Sequence, residues 1–148
     1  MFTKVLVTVD LREESFSLEA LHFAVEQTQK DNAELFVLTV LPELERPSMD
    51  YHEVEDSEQE IERAAHEQLE ALVKQHIPEG IRVTKIVRKG GAPHEEILRQ
   101  ASQQHVDLIV IPSHDRGVIE GFFMGSRAVN VVRHAHCSVM VIRKPRKA

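Results

Sequence analysis

The sequence has one cysteine, one tyrosine and no tryptophan among its 148 residues. A single cysteine, Cys137, excludes an internal disulfide and fits a reducing compartment. No apolar run approaches the roughly 18 residues of a membrane span, and the first residues lack the layout of a signal peptide. Basic residues are also too few for a nucleic-acid binder, since the formal net charge is −6. We therefore expect a cytoplasmic protein with neither a membrane nor a nucleic acid as partner.

What the sequence does contain is a regular alternation of short apolar runs and helical patterns. Hydrophobic residues make up 42% and charged residues 28%, as in an ordinary globular protein, and the length suits one domain over residues 1–148. Apolar runs typical of strands occupy residues 4–9, 35–41, 81–88, 106–111 and 139–142. Between them, apolar residues recur three and four positions apart, which predicts helices.

This alternation predicts an α/β fold, an open five-stranded parallel sheet with helices on both faces, because each parallel crossover needs a helix. The third run is the most polar, so we expect it near an edge of the sheet. The fourth run is the most apolar, so we expect it inside. Residues 42–56 have no period and predict a loop, after which Ser57 and Glu60 have the spacing of a capping box.

In open parallel sheets, ligands bind beyond the carboxyl ends of the strands, where the strand order reverses. Asp10, the turn at Val40, Leu41 and Pro42, and the segment 112–126 lie where predicted strands end and are therefore candidates. Gly125 and Ser126 begin a helix, whose free N–H groups and positive dipole end suit a phosphate. His114 and Arg116, in the preceding loop, would add positive charge. A helix that Ser126 caps without any ligand explains the same residues, so this pattern leaves both interpretations open.

Several stretches of the chain resemble the universal stress protein family. They are residues 5–10 (VLVTVD), 91–93 (GAP), the segment from Asp107 to Ser126, and residues 132–142 (VRHAHCSVMVI). They occur in the family's order along nearly the whole chain, and the pattern is most similar to the small F and G types. The resemblance implies the strand order 3-2-1-4-5, a fold of the adenine nucleotide alpha hydrolase type, and a homodimer paired through the last strand, from Val139 to Ile142.

The resemblance also implies a site for ATP or AMP, with Mg²⁺ when ATP is bound. The family's nucleotide-binding motif is a glycine, two residues, a second glycine, nine residues and Gly-Ser or Gly-Thr. Pro112 and Asp115 replace the first two glycines, so the implied site is altered: proline lacks an N–H, and a carboxylate repels phosphate. The predicted site residues are Thr8, Val9, Asp10, Val40, Pro112, His114, Arg116, Gly125, Ser126 and Arg127.

The resulting prediction is a stress-response protein, regulatory or protective, with an altered adenine-nucleotide site. Two other functions stay open, a dimeric interaction module that binds no nucleotide and a slow ATP hydrolase. We assign no catalytic residue. Ser113, His114 and Asp115 are consecutive and cannot align as a triad. The GxxxxGK[ST] loop of fast NTPases is absent, so any hydrolysis should be slow.

Two further classes are excluded. A phosphoacceptor receiver domain needs adjacent carboxylates after the first strand, but Leu11 and Arg12 follow Asp10. His134, His136 and Cys137 are potential zinc ligands, yet no second pair of ligands lies at finger-like spacing. We therefore predict no metal ligands and expect Cys137 to be a small buried hydrophobic residue.

Overall fold

The computed structural model describes residues 1–42, 51–113 and 124–143. In these segments, strands and helices alternate from the start of the chain. In chain order the elements are β1 (Lys4–Thr8), α1 (Glu14–Asp31), β2 (Glu34–Leu41), α2 (Tyr51–His76), β3 (Arg82–Lys89), α3 (Pro93–Gln103), β4 (Leu108–Pro112), α4 (Ser126–His134) and β5 (Ser138–Ile142). All neighbouring strands pair in parallel, in the order β3-β2-β1-β4-β5. The predicted fold and strand order are confirmed.

The position of each strand in the sheet follows its polarity. Val5, Leu6 and Val7 of β1 are 0% exposed, because this strand has a neighbour on each side and helices on both faces. β4 lies between β1 and β5, inside the sheet, as its apolar sequence predicts. β3 lies at an edge and buries only Ile86 and Val87, in agreement with its more polar sequence.

The sheet separates two apolar clusters. α1 and α2 pack on one face, where Leu21 and Val7 are buried. α3 and α4 pack on the other face, where Ile97 and Leu6 are buried. Successive side chains of a strand point to opposite faces, so Leu6 and Val7 belong to different clusters. Full burial of one such side chain contributes about 1.5–3 kcal/mol.

The second helix begins earlier than predicted. α2 starts at Tyr51, so residues 51–56 are helical and Ser57 lies inside the helix, which makes the predicted capping box wrong. The segment has no apolar period, but its acidic residues are suited to a helix start. Glu53 lies in the first turn, where the helix dipole favours a negative charge. The rest of the predicted loop, residues 43–50, lies outside the described residues.

The two longest helices each bury one side against the sheet. α1 has 18 residues and α2 has 26. α2 buries Ala65, Leu69 and Leu72 against the sheet, while its glutamates lie mostly toward solvent. Across the described segments, no helix combines the length and the hydropathy that crossing a membrane requires.

Candidate functional site

The carboxyl ends of all five strands lie at one edge of the sheet, because the strands are parallel. Val7 of β1 pairs with Val110 of β4. Asp10 and Ser113 each lie three residues further on, just beyond the ends of β1 and β4. Both residues therefore belong to the carboxyl edge of the sheet.

Asp10 is held by residues 12 and 17, but one of its oxygens has no partner among the described residues. Its N–H donates to Oγ of Ser17 in α1 over 2.9 Å. Its Oδ1 accepts the backbone N–H of Arg12 at 2.9 Å and lies 3.3 Å from Nε of the same arginine. Oδ2 is buried and has no hydrogen-bond partner among the described residues. An unpaired buried carboxylate oxygen costs free energy, so this atom is suited to accept a hydrogen bond from a ligand.

Ser113 has the same property at the end of β4. The residue is 1% exposed, and its N–H donates to the carbonyl oxygen of Ile142 over 2.8 Å. Its own carbonyl oxygen accepts the N–H of Gly125 over 2.6 Å. The hydroxyl, however, is buried and unpartnered within the described part of the chain. Each of these two neighbouring strands is therefore followed or ended by a polar atom that has no partner among the described residues.

The hydrogen bond from Gly125 to Ser113 brings the start of α4 to this edge. Gly125 is the N-cap and Ser126 the first helical residue, with no side-chain capping bond. Ser126 therefore does not cap the helix, which was one of the two interpretations that the sequence left open, and the residue is exposed. The first amides of a helix lack partners within the helix and favour an anion.

A cleft of about 250 Å³ opens at the same edge, beside β2 and β3. Its lining combines small apolar groups with two arginines, and consists of Arg12, Val40, Pro42, Gly90, Gly91, Pro93 and Arg127. Arg127 belongs to the first turn of α4 and Arg12 follows β1, so the two arginines reach the cleft from different segments. Guanidinium groups bind carboxylates and phosphates through paired hydrogen bonds, so the cleft favours an anionic ligand.

Part of the predicted site is brought together at this edge. Val40 and Arg127 line the cleft, and Asp10 contacts it through its ion pair with Arg12. Gly125 and Ser126 begin α4 next to the end of β4. These residues come from three separate segments, and the parallel sheet aligns them.

Other predicted residues have different surroundings. Thr8 and Val9 are only 4% and 3% exposed, so they support the edge from within rather than line the cleft. Pro112 is the last residue of β4 and pairs with Ile142 of β5. His114 and Arg116, together with Asp115, lie outside the described residues.

Sequence reasoning missed several residues at this edge. The inspected positions followed the first, second and fourth strands, but β3 ends at the same edge and brings Gly90, Gly91 and Pro93 to the cleft. All the parallel strands end at this edge, so a prediction that included the end of the third strand would have found these residues. The hydroxyl of Ser113, which has no partner in the described segments, has no sequence signal, because its surroundings depend on the tertiary structure.

A second cavity, of about 330 Å³, lies at the opposite edge, where β4 and β5 begin. Its lining includes His134, His136 and Cys137. Cys137 is half-buried rather than buried as predicted. Burial raises the pKa of its thiol, and the negative charge of Asp107 adds to this effect. Within the described segments, no three His, Cys, Asp or Glu side chains are grouped to hold a metal ion.

Comparisons with known proteins agree with this geometry. The model of the universal stress protein family matches residues 1–143. Universal stress protein G of Shigella flexneri is 29% identical over 147 residues, which are 97% of this chain and 100% of that protein. Universal stress protein UspA from Lactobacillus plantarum has a similar fold, with a TM-score of 0.73 at 24% identity, over 95% of this chain and 97% of that one. A universal stress protein from Archaeoglobus fulgidus in complex with dAMP gives a TM-score of 0.63 at 21% identity, over 94% and 96%.

Proposed function

This chain belongs to the universal stress protein family, and from that premise we propose that it is a regulatory or protective stress-response protein that binds ATP or AMP through an altered motif. One observation carries the proposal: Asp10 Oδ2 and Ser113 Oγ are buried without described partners at neighbouring strand ends, beside the start of α4. The protein of the same fold from A. fulgidus was solved with dAMP, an adenine mononucleotide. That complex supports adenine as the base of the proposed ligand.

Each part of such a ligand has a matching group at the edge. The apolar side chains of Val40 and Pro42 offer a surface for the base. Oδ2 of Asp10, which has no partner among the described residues, would accept a hydrogen bond from a ribose hydroxyl. The phosphate would lie at the first turn of α4, within reach of the charge of Arg127. Mg²⁺ would accompany ATP, held chiefly by the phosphates.

The two replaced glycines set the expected affinity. Pro112 offers no N–H to a phosphate and is fixed by its pairing with Ile142. A hydrogen bond to a charged group contributes about 1.5–3 kcal/mol, so each lost amide weakens binding by about one to two decades. The guanidinium groups of Arg12 and Arg127 offset part of this loss. We therefore propose weak to moderate binding, with hydrolysis slow at most.

The wider assembly is also a proposal. The chain would form one cytoplasmic domain over residues 1–148 and a homodimer through β5. β5 is an edge strand, and Met140 is 41% exposed on it while Val139 and Val141 are half-buried. An apolar strand with one unpaired edge is suited to pairing with a second copy.

Calorimetry with AMP, ADP and ATP tests the nucleotide site. We expect one nucleotide per chain, weaker binding by Ser126→Ala, tighter binding by Asp115→Gly and no binding by Gly125→Asp, whose carboxylate would meet the phosphate. Ser102→Ala, an exposed serine at the other edge of the sheet, is the matched control and should bind as the wild type does. Absence of heat at millimolar nucleotide would favour the interaction module. Equal binding by wild type and Gly125→Asp would show that nucleotide binds elsewhere.

A further inference from the structure

Two histidines from different helices meet on the outer surface of the α1–α2 layer. Nε2 of His22, in α1, lies 3.3 Å from Nδ1 of His76, the last residue of α2. The ring centroids are 5.3 Å apart and the ring planes are inclined by 50°. His22 is exposed and His76 half-buried, so ions in solution reach the pair. The nucleotide proposal uses neither residue.

The separation of the two nitrogens suits a shared metal ion. Hydrogen bonds from N–H groups usually span about 2.7–3.2 Å, so 3.3 Å is long for one. In a tetrahedral site with metal–nitrogen bonds of about 2.0–2.1 Å, two imidazole nitrogens lie about 3.3–3.4 Å apart. An ion therefore fits beside the two nitrogens at their present separation, provided that the rings turn to direct both lone pairs at it.

The surrounding charges favour a cation. Glu19 and Glu26 lie one turn before and one turn after His22 on α1, and both are exposed. His76 stands at the C-terminal end of α2, where the helix dipole is negative. Lys74 is the nearest basic residue in the sequence, but it lies two positions before His76 and so points away from that face.

We infer that His22 and His76 form a binding site for a divalent transition metal of the Zn²⁺, Ni²⁺ and Cu²⁺ class. Imidazole suits these ions, whereas Mg²⁺ and Ca²⁺ prefer oxygen ligands. Water completes the coordination, because the described residues contain no group of three or more His, Cys, Asp or Glu that would supply it. The ion links α1 to the end of α2, and thus two segments that are far apart in the sequence.

Calorimetric titration of the full chain with NiCl₂, and separately with ZnCl₂, tests this site without nucleotide. One ion should bind per chain, and His22→Gln and His76→Gln should each weaken binding at least about tenfold. His66→Gln, an exposed histidine elsewhere on α2, is the matched control and should leave the affinity unchanged. The double variant H134Q/H136Q removes two histidines that line the second cavity. If binding is lost in that variant and kept in His22→Gln, the inference is wrong.

A second measurement locates the ion directly. Substoichiometric Cu²⁺ broadens NMR signals near its binding site, so the backbone amides around His22 and His76 should broaden first. Zn²⁺ should also raise the Tm of the wild type and not that of either variant, because the ion binds the folded chain. Broadening centred on residues 134–137 instead would overturn the assignment.

Discussion

The carboxylate of Asp107 accepts the backbone N–H of Lys4 over 2.9 Å, which joins residues 103 positions apart. Its other oxygen accepts the N–H of Thr3 at 2.9 Å and the hydroxyl of Thr3 at 3.2 Å. One side chain at the start of β4 therefore holds the start of β1. These contacts lie at the amino edge of the sheet, opposite the cleft.

Asp107→Asn should lower stability in a pH-dependent way. Burial disfavours the charged form, but the hydrogen bonds from Thr3 and Lys4 outweigh it and lower the pKa of Asp107. Because folding lowers the pKa of Asp107, its charged carboxylate stabilises the fold at pH values above the ordinary pKa near 4. This stabilisation is lost as the pH falls through the lowered pKa. We expect a loss of about 1–3 kcal/mol at pH 7 and a smaller difference from wild type in acid.

Urea unfolding of wild type and variant between pH 7 and pH 3 measures this difference. Asp56→Asn, an exposed carboxylate on α2, is the control and should unfold as the wild type does at pH 7. A deficit of constant size at every pH would show that Asp107 acts through packing and not through its charge.

Arg127→Ala should weaken nucleotide binding selectively. Loss of one charged hydrogen bond to phosphate corresponds to about ten- to a hundredfold in affinity. Arg133→Ala lies in the last turn of the same helix, away from the cleft, and should have no effect. Adenosine carries no phosphate, so its affinity should be the same in both variants. Calorimetry that finds AMP and adenosine equally weakened by Arg127→Ala would contradict a phosphate-binding role.

Met140→Lys and Val141→Lys should convert a dimer to a monomer. A lysine on an edge strand discourages pairing with another strand. Thr84→Lys places the same charge on β3, the opposite edge of the sheet, and should leave the dimer intact. Light scattering at micromolar protein measures the mass of each variant. A wild-type monomer under these conditions would rule out the β5 interface.

Gly80→Ala should destabilise the turn between α2 and β3. Gly80 has φ of 93°, which disfavours any residue with a side chain, although an added Cβ would meet no atom within 4 Å. The cost is therefore one of backbone conformation, about 1–2 kcal/mol. Gly91 also has open space around it but no positive φ, so Gly91→Ala should be neutral or slightly stabilising. Similar unfolding midpoints for the two variants would refute this explanation.

Much of the fold could be predicted because burial on both faces leaves an unbroken apolar run, as in β1 and β4. The strand order came from the family resemblance, since periodicity does not say which strands are neighbours. The start of α2 was missed because residues 51–56 are acidic and lack an apolar period. The helix dipole favours acidic residues at a helix start, but this effect produces no periodic pattern in the sequence.

The candidate site was predicted less completely than the fold. Val40 lies at the end of a recognisable strand and Gly125 directly precedes a recognisable helix. The sheet topology alone therefore places both residues at the edge. Arg12 was not predicted, although its contact with Asp10 joins residues only two positions apart. Ser113 depends on tertiary detail, because its hydroxyl has no partner in the described part of the chain. The partners of a buried side chain can come from any part of the chain, and this limits the prediction of sites from sequence.

The division of the interior by the sheet has a consequence for how the sequence can change. Leu21 and Ile97 are both fully buried, but they lie in clusters on opposite faces. The changes in unfolding free energy that distant mutations cause usually add to within about 0.5 kcal/mol when the residues share no partners. Substitutions on one face should therefore depend mainly on the residues of that face. Coevolution should therefore be strongest within a layer. The strand residues are the exception, since a backbone shift at Leu6 also moves Val7, and they should diverge most slowly.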